Sequence, residues 1–272
     1  MLRQLVELIP GHLVPTFARE CGIHLQARLF SAWSHLVSML YAQISRSHGL
    51  NEVCDSLSFH LSDLLAMRGA TALMRNSLSH ANKTRDCAFA EKLYWGVFER
   101  LKLQFPRFAS GATPGYLRRF RSRSIHVVDS TTVQLVVNCI DWARRRARKA
   151  AAKIHTRIGL SSFLPAFAIV GSAGGHDSVR APELCASLQE GEVVIFGKVC
   201  VHFKHLGALD ERGVCFVTRE KTNLKTKRKK KLPRRGDKRI LADDMVVLTG
   251  KETSRDYPQT PRRVRAIVEV DG

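Results

Sequence analysis

The sequence predicts an α+β protein in which a helical amino-terminal domain precedes a mixed α/β core and a basic, β-rich tail. Apolar residues recur at helical spacing through the first hundred or so residues, and short strand-like apolar runs alternate with helical stretches after residue 124. From residue 222 the chain is polar and very basic, with short runs of alternating apolar and polar residues. These patterns predict domains at 1–108, 125–221 and 222–272, with a linker at 109–124.

The amino-terminal domain contains three long apolar stripes at the spacing of helices. The first is expected to end at Gly49, because glycine commonly follows the last turn of a helix. Asn51 is expected to cap the second helix, and Pro106 is expected to end the third. The inward residues are expected to be Leu25, Leu29, Trp33, Leu36, Val37, Leu40, Tyr41 and Ile44 in the first, Val53, Leu57, Leu61, Leu64 and Leu65 in the second, and Phe89, Leu93, Val97 and Leu101 in the third.

A short helix is expected between the second and third, starting at a cap on Thr71 after a break at Gly69. Its segment, TALMRNSLSHANKTR, is rich in Arg, Asn, Ser, His and Lys. Two helices about a glycine-containing turn, the second one polar and basic, resemble a helix-turn-helix. An ordinary helical hairpin with a solvated polar face explains the same pattern equally well.

Residues 109–124 are a linker by composition, because Gly and Pro residues are followed by several arginines. Strand-like runs follow at 125–129, 164–170, 193–196 and 214–218, and helical stretches at about 179–188 and 203–212 separate the later runs. This alternation predicts a mixed α/β sheet. The short alternating runs within 222–272 are expected to be β structure without a partner in this chain.

The segment IHVVDSTT, residues 125–132, raises the first question of function. Its apolar residues are typical of a strand buried on both faces, yet it then delivers Asp129 and three hydroxyl residues. Asp and Ser commonly start turns by bonding their own backbone, and the local pattern alone favours this explanation. The alternative is that Asp129 is a metal-binding carboxylate at the rim of the sheet.

The net charge indicates the partner. Forty-four Lys and Arg against 24 Asp and Glu give +20, a charge that an enzyme of small metabolites does not need and that a phosphate polyanion attracts. Nucleic acid is therefore the expected partner.

Seven scattered cysteines without a C-x-x-C motif indicate reduced thiols in a cytoplasmic protein. Neither a signal peptide nor a membrane span is expected.

Four motifs follow the helical domain and the basic linker in one order: VVDSTT (127–132), KIHTRIGL (153–160), GGHD (174–177) and FVTREK (216–221). In this order they resemble the DDE transposases of bacterial insertion sequences, specifically the family named after insertion sequence four, over essentially the whole chain. The resemblance implies a ribonuclease H-like core that binds Mg²⁺ and cuts and rejoins DNA at transposon ends. It also implies a nucleoid-associated protein whose partners are double-stranded DNA and either further copies of itself or an intact transposase.

The resemblance makes Asp129 the first catalytic carboxylate and a metal ligand. Two Mg²⁺ ions need several hard oxygen ligands from separate strands. The second acid of the family is expected where this chain carries Gly197, for which a strand end with positive φ or close backbone approach is the other explanation. The third acid, a Glu on a helix beyond the β-rich insertion, has no counterpart before Gly272.

The two missing acids predict an amino-terminal portion of a transposase with an incomplete core, as a truncated and inactive copy. A non-catalytic DNA-binding regulator of an intact transposase is the alternative. Reading of the transposon ends is expected from the helical domain.

Basic residues are expected to supply most of the DNA contact. The segment 141–157 carries seven cations without an acid after Asp141, whereas the denser run at 228–231 is equally well explained as a solvated segment. Such cations bind phosphates and carry no sequence information. The expected DNA-binding residues are Arg144, Arg145, Arg146, Arg148, Lys149, Lys153, His155, Arg157, Arg219 and Lys221.

Overall fold

A computed structural model of the chain describes residues 1–23, 30–107, 120, 122–135, 144–145, 149–172, 177–197, 202–233 and 238–268. The chain divides into two compact units, Met1–Phe108 and Ala109–Gly272. Helices form the first unit and a mixed sheet lies in the second, which confirms the α+β class. Among the described residues, no helix has both the length and the apolar character needed to cross a membrane.

The helices of the first unit are held together by two apolar clusters. These helices are α1 (Leu2–Glu7), α2 (Leu13–Glu20), α3 (Ala32–Ser45), α4 (Leu50–Ser58), α5 (Leu61–Ala66), α6 (Arg75–Thr84) and α7 (Ala88–Gln104). One cluster joins α1, α3, α4, α5 and α6, and the other joins α2, α3 and α7. Trp33 of α3 packs against both clusters, and its indole N–H donates to the carbonyl of Met67 over 2.6 Å.

Two of the helix caps expected from the sequence are wrong. α4 begins one residue before Asn51, and Gly49 in extended backbone is its N-cap. The short helix expected from Thr71 begins at Arg75 instead. The hydroxyl of Thr71 is hydrogen-bonded to the hydroxyl of Ser34 on α3 over 3.2 Å, and the Thr71 N–H donates to the same Ser34 hydroxyl over 3.1 Å, so a tertiary contact takes the side chain that would have capped the helix.

The second apolar stripe is interrupted between α4 and α5, at residues 59 and 60. This break changes the phase of the helix, so Leu61 and Leu65 are 55% and 62% exposed, whereas Leu57 and Leu64 are buried as expected. In the first stripe Val37 is buried and the other described members are half-buried, whereas its members at 25 and 29 lie outside the described residues.

The connection between α5 and α6 comprises residues 67–74. It is longer than the turn of about three or four residues that characterises a helix-turn-helix. α6 buries Leu78 and Ala81 against the first unit and exposes Arg75, Asn76 and His80. The polar face of α6 is thus solvent-accessible, but its connection to α5 departs from the expected motif.

The second unit is built on a six-stranded sheet. Its strands are β1 (Ile125–Leu135), β2 (Arg144–Arg145), β3 (Lys149–Gly159), β4 (Pro165–Ser172), β5 (Val193–Phe196) and β6 (Cys215–Thr218). The central strand β1 pairs antiparallel with β3 on one side and parallel with β5 on the other. β2 and β4 pair antiparallel with β3, and β6 pairs parallel with β5. Helices α8 (Asp177–Leu184) and α9 (Phe203–Glu211) precede β5 and β6.

The two helices cover one face of this sheet. Val128 of β1 and Phe196 of β5 are paired across the strands and are 1% and 2% exposed in a cluster with side chains of α8 and α9. The other face is more open, because Val170 of β4 and Val217 of β6 are 64% and 54% exposed. Successive side chains of a strand point to opposite faces, so Asp129 lies on the open face.

The tail forms a second, three-stranded antiparallel sheet of β7 (Thr226–Lys231), β8 (Ile240–Leu248) and β9 (Arg262–Ala266) in the order β7-β8-β9. The short helix α10 (Lys251–Asp256) lies between β8 and β9. The expectation that these strands have no partner in the chain is therefore wrong. Their alternation identified the strands, but their pairing depends on a register that alternation alone does not fix.

We predict that residues 1–108 fold alone, because both apolar clusters of the first unit are formed within them. The fragment should show helical circular dichroism and unfold cooperatively in urea. Leu57→Ala should lower its free energy of unfolding by about 2 to 5 kcal/mol, because it leaves a cavity in the core. The matched change Leu61→Ala at an exposed position should cost less than about 0.5 kcal/mol. A fragment without a cooperative transition would contradict this division of the chain.

Candidate functional site

Asp129 lies where the parallel pairing of β1 and β5 ends. The last pair in that register is Val128 with Phe196, so Asp129 and Gly197 are the next residues on neighbouring strands. On its other side, Asp129 is opposite Thr156 of β3. Its side chain is exposed. A carboxylate in this position can reach a solvated ion or a phosphate-bearing ligand at the open face of the sheet.

Gly197 has neither of the structural reasons considered for a glycine at this strand end. Its φ is outside the positive range, so an L side chain can take its backbone conformation. Among the described residues, a Cβ atom added there would contact Asp129 alone, with 3.7 Å between the Cβ and Oδ1, which is ordinary van der Waals distance. The second explanation for this glycine, close backbone approach, is therefore wrong as well. An Asp side chain fits here, directly beside Asp129.

Buried packing beneath the sheet supports this pair of positions. His205 of α9 packs edge-on against the ring of Phe196, with 5.8 Å between the ring centroids. Burial, reinforced by the nearby His202 and Arg212, lowers the pKa of His205 to about 4. The imidazole is thus neutral near pH 7 and acts as a packing group that helps to hold the end of β5.

The residues described at this position do not fit a divalent cation held by protein side chains. Across the described ranges, His, Cys, Asp and Glu residues do not come together in groups of three or more that could bind a metal. Asp129 offers one carboxylate, and Gly197 offers no side-chain oxygen. Mg²⁺ prefers about six oxygen ligands, so it would be held here mostly by water.

Three of the basic residues expected on β3, Lys153, His155 and Arg157, lie on the face opposite Asp129. Ser130 pairs with His155, and Val128 pairs with Arg157, so these side chains point toward α8 and α9. His155 is buried, and Lys153 on the same face is half-buried. Their expected role in binding DNA is untested, but the alternation of β3 separates them from the carboxylate.

Arg157 differs most from its expected role. It is 6% exposed, and its guanidinium donates to the carbonyl of Leu184 and to the hydroxyl of Ser187, each over 2.8 Å. Burial lowers the pKa of this guanidinium. These contacts join β3 to the end of α8, so Arg157 is an internal residue of the unit, which is at odds with contact to a DNA phosphate.

The remaining expected cations lie on β2 and the start of β3, after β6, or outside the described residues. Arg144, Arg145 and Lys149 belong to the backbone pairing of β2 with β3. Arg146 and Arg148 lie outside the described residues.

Arg219 and Lys221 follow β6 and line a cavity of about 570 Å³ beside the second sheet. Sequence reasoning missed this cavity, because its walls come from distant segments. Its apolar walls include Phe203, Leu206, Phe216, Leu224, Val246, Leu248 and Tyr257.

Comparisons with known proteins agree with the resemblance. Residues 121–269 match the family model described as Transposase DDE domain, and residues 1–67 match a Domain of unknown function (DUF4372). A curated relative is the "Probable transposase for insertion sequence element IS5377" of Geobacillus stearothermophilus, 29% identical over 112 residues. The alignment covers 41% of this chain and 29% of the relative, so the match spans less than a third of that protein's length.

We predict that Gly197→Asp creates a cation site, because two carboxylates would then face one another on the open side of the sheet. Mn²⁺ affinity, measured by electron paramagnetic resonance, should rise at least about tenfold, since even an outer-shell partner of a metal ligand is worth that much. Adding Asp129→Ala should remove the gain.

The matched control is Gly171→Asp. Gly171 pairs with Lys153 on the other face of the sheet, and a Cβ there would have no described residue within 4 Å. Equal Mn²⁺ affinity in the Gly171→Asp and Gly197→Asp variants would contradict the geometry of the site.

Proposed function

Since the chain belongs to the Transposase DDE domain family over residues 121–269, we propose that it derives from the transposase of a bacterial insertion sequence in the family named after insertion sequence four. In this proposal the chain binds double-stranded DNA at transposon ends but does not cut it. The protein acts in the cytoplasm, at the nucleoid. The domain assignment proposed is a helical DNA-binding domain at 1–108, a linker at 109–124, the first part of a ribonuclease H-like core at 125–221 and a β-rich insertion at 222–272.

The adjacency of Asp129 and Gly197 carries the proposal. Two strands place these residues side by side, in the arrangement by which separate strands bring two carboxylates to one metal ion. One of the two positions holds the carboxylate and the other holds a glycine that neither backbone strain nor crowding demands. A site built for two acids that retains one is the simplest explanation.

The chemistry explains why one acid is insufficient. Transfer of a DNA strand is an in-line displacement at phosphorus, and two divalent ions stabilise the attacking and leaving oxygens. Mg²⁺ supplies this chemistry in the family only when several protein oxygens hold it in place. In this chain Asp129 can orient water or a weakly held ion, and Gly197 beside it supplies no second carboxylate.

Charge supports the DNA-binding half of the proposal. The net charge of +20 favours a polyanion, and Arg144, Arg145, Arg219 and Lys221 are proposed to contact phosphates. Arg157 is removed from that set, because its guanidinium is buried and already bonded.

The helical unit is proposed to contribute sequence preference through the exposed polar face of α6. Arg and Asn side chains such as Arg75 and Asn76 can bond base edges in the major groove. Residues 67–74 form a longer connection than the turn of a helix-turn-helix. In this proposal α6 therefore contacts the bases without the turn that is usual for that motif.

The second candidate function is regulation of an intact transposase, and the same glycine favours it. A chain that keeps its fold and charge while lacking the acid at Gly197 would compete for transposon ends or join an active protein in a mixed oligomer. Co-expression with an active transposase distinguishes the two functions, because a regulator lowers transposition in proportion to its amount, whereas an inert copy does not.

We predict that DNA affinity falls steeply with salt, and that Arg219→Gln and Arg157→Gln act differently. Arg219→Gln should reduce the slope of log affinity against log salt by about one unit, as loss of one phosphate contact does. Arg157→Gln should instead lower the free energy of unfolding by about 1 to 3 kcal/mol, because the Leu184 carbonyl and the Ser187 hydroxyl lose their donor.

Fluorescence anisotropy and urea unfolding of both variants measure these effects. An affinity of the native chain that does not depend on salt would exclude phosphate binding as its basis.

We also predict that the native chain does not nick DNA carrying its element's ends, with either Mg²⁺ or Mn²⁺. Supercoiled plasmid provides a sensitive assay, since a single nick relaxes it. Nicking that is lost in Asp129→Ala would show that one acid is enough, against the proposal. Nicking that survives Asp129→Ala would place the active site elsewhere.

A further inference from the structure

The edge strand β7 carries an unusual concentration of charge. Its sequence is TKRKKK, and the five residues from Lys227 to Lys231 are all basic and all exposed. β7 lies at the edge of the second sheet and pairs with β8. The run that the sequence left open as a solvated segment is thus an ordered strand.

A β-bulge distributes these cations around the edge. The register shifts between Arg228 and Lys230, and Lys229 is the extra residue. Lys227 and Lys230 pair with Val247 and Met245, which share one face of β8, whereas Arg228 and Lys231 pair with Val246 and Asp244 on the other. The strand therefore presents cations to both sides of the sheet edge.

The acids of this sheet do not neutralise β7. Asp243 accepts two hydrogen bonds from Arg262 of β9, at 2.8 and 2.6 Å, and Asp244 is 3.5 Å from the guanidinium of Arg263. Both carboxylates are buried, 4% exposed. Within the described ranges, none of the five cations of β7 forms an ion pair.

Protection of a sheet edge does not account for this strand. Lysine on an edge strand discourages pairing with other chains, but that role does not require five consecutive cations facing both sides of the edge. Five consecutive cations repel one another within a fixed strand, and a ligand with closely spaced negative charges relieves that repulsion. A nucleic acid backbone, with one phosphate for each nucleotide of each strand, has this property.

We infer that the exposed edge strand β7 binds the phosphate backbone of duplex DNA, at a site distinct from Asp129 and from the cations that follow β6. The inference rests on the proposed DNA-binding function and adds a second contact surface to it. Lysines are flexible point charges that do not select bases, so this edge should supply affinity without sequence preference.

The test compares two triple variants with equal loss of charge. One is Lys227→Gln, Lys229→Gln and Lys231→Gln in β7. The control is Lys204→Gln, Lys238→Gln and Lys251→Gln, at exposed lysines elsewhere in the same unit. Fluorescence anisotropy with a short duplex, titrated over a range of salt concentrations, gives the affinity and its salt dependence for each full chain.

The β7 variant should bind DNA about tenfold more weakly, with a log–log salt slope less steep by about two to three units, whereas the control should change the slope by less than about one unit. Replacing the same three β7 lysines with arginine should restore binding, which separates charge from folding. The preference between two duplex sequences should be unchanged in the β7 variant.

Equal affinities and slopes in the two triple variants would overturn the assignment of β7 while leaving DNA binding intact. A native chain that does not bind the duplex even at low salt would overturn both this inference and the proposed function. Weaker binding by the arginine variant than by the native chain would show that strand geometry, and not charge, is responsible.

Discussion

The parallel pairing of β1 with β5 is the contact on which the rest of the second unit depends. Parallel neighbours need a long crossover connection, and here the crossover contains β3, β4 and α8. Val128 and Phe196 occupy adjacent positions in that pairing and are buried under α8 and α9. The chain leaves this buried pair at Asp129 on one strand and at Gly197 on the other. The register of two apolar residues thus determines which side chains meet at the open face.

Much of this arrangement could be predicted from local pattern. The apolar runs at 125–129 and 193–196 became the central strands, and the α+β order of elements followed from periodicity. Pattern failed where a tertiary contact decided the outcome. Nothing in the sequence shows that the Ser34 hydroxyl takes the Thr71 N–H, or that the second stripe breaks at residues 59 and 60 without a glycine or proline.

Local pattern also fails to show which basic residues are available at the surface of the protein. Alternation along KIHTRIG puts Lys153, His155 and Arg157 on one face of a strand, but only the register with β1 shows that Asp129 points the other way. Arginines with a local partner are already engaged by the fold, whether buried, as Arg157 is at the end of α8, or exposed, as Arg262 is with Asp243. A net charge therefore overstates the number of cations available to DNA, and the structure separates internal cations from those at the surface.

The glycine beside Asp129 is informative because the fold does not require it. At Gly207, by contrast, an added Cβ would lie 2.9 Å from the backbone oxygen of Asp256, so only glycine fits. At Gly197 an added Cβ would meet the described residues only at an ordinary distance, 3.7 Å from Oδ1 of Asp129, and the backbone φ is not positive. Two carboxylates this close repel one another unless a cation lies between them. Glycine removes both the repulsion and the need for the ion, so the chain can keep its fold and its charged surfaces without a metal. Stability and metal binding are thus separable at this single position, so the loss of catalysis proposed above would leave the fold and its basic surfaces in place.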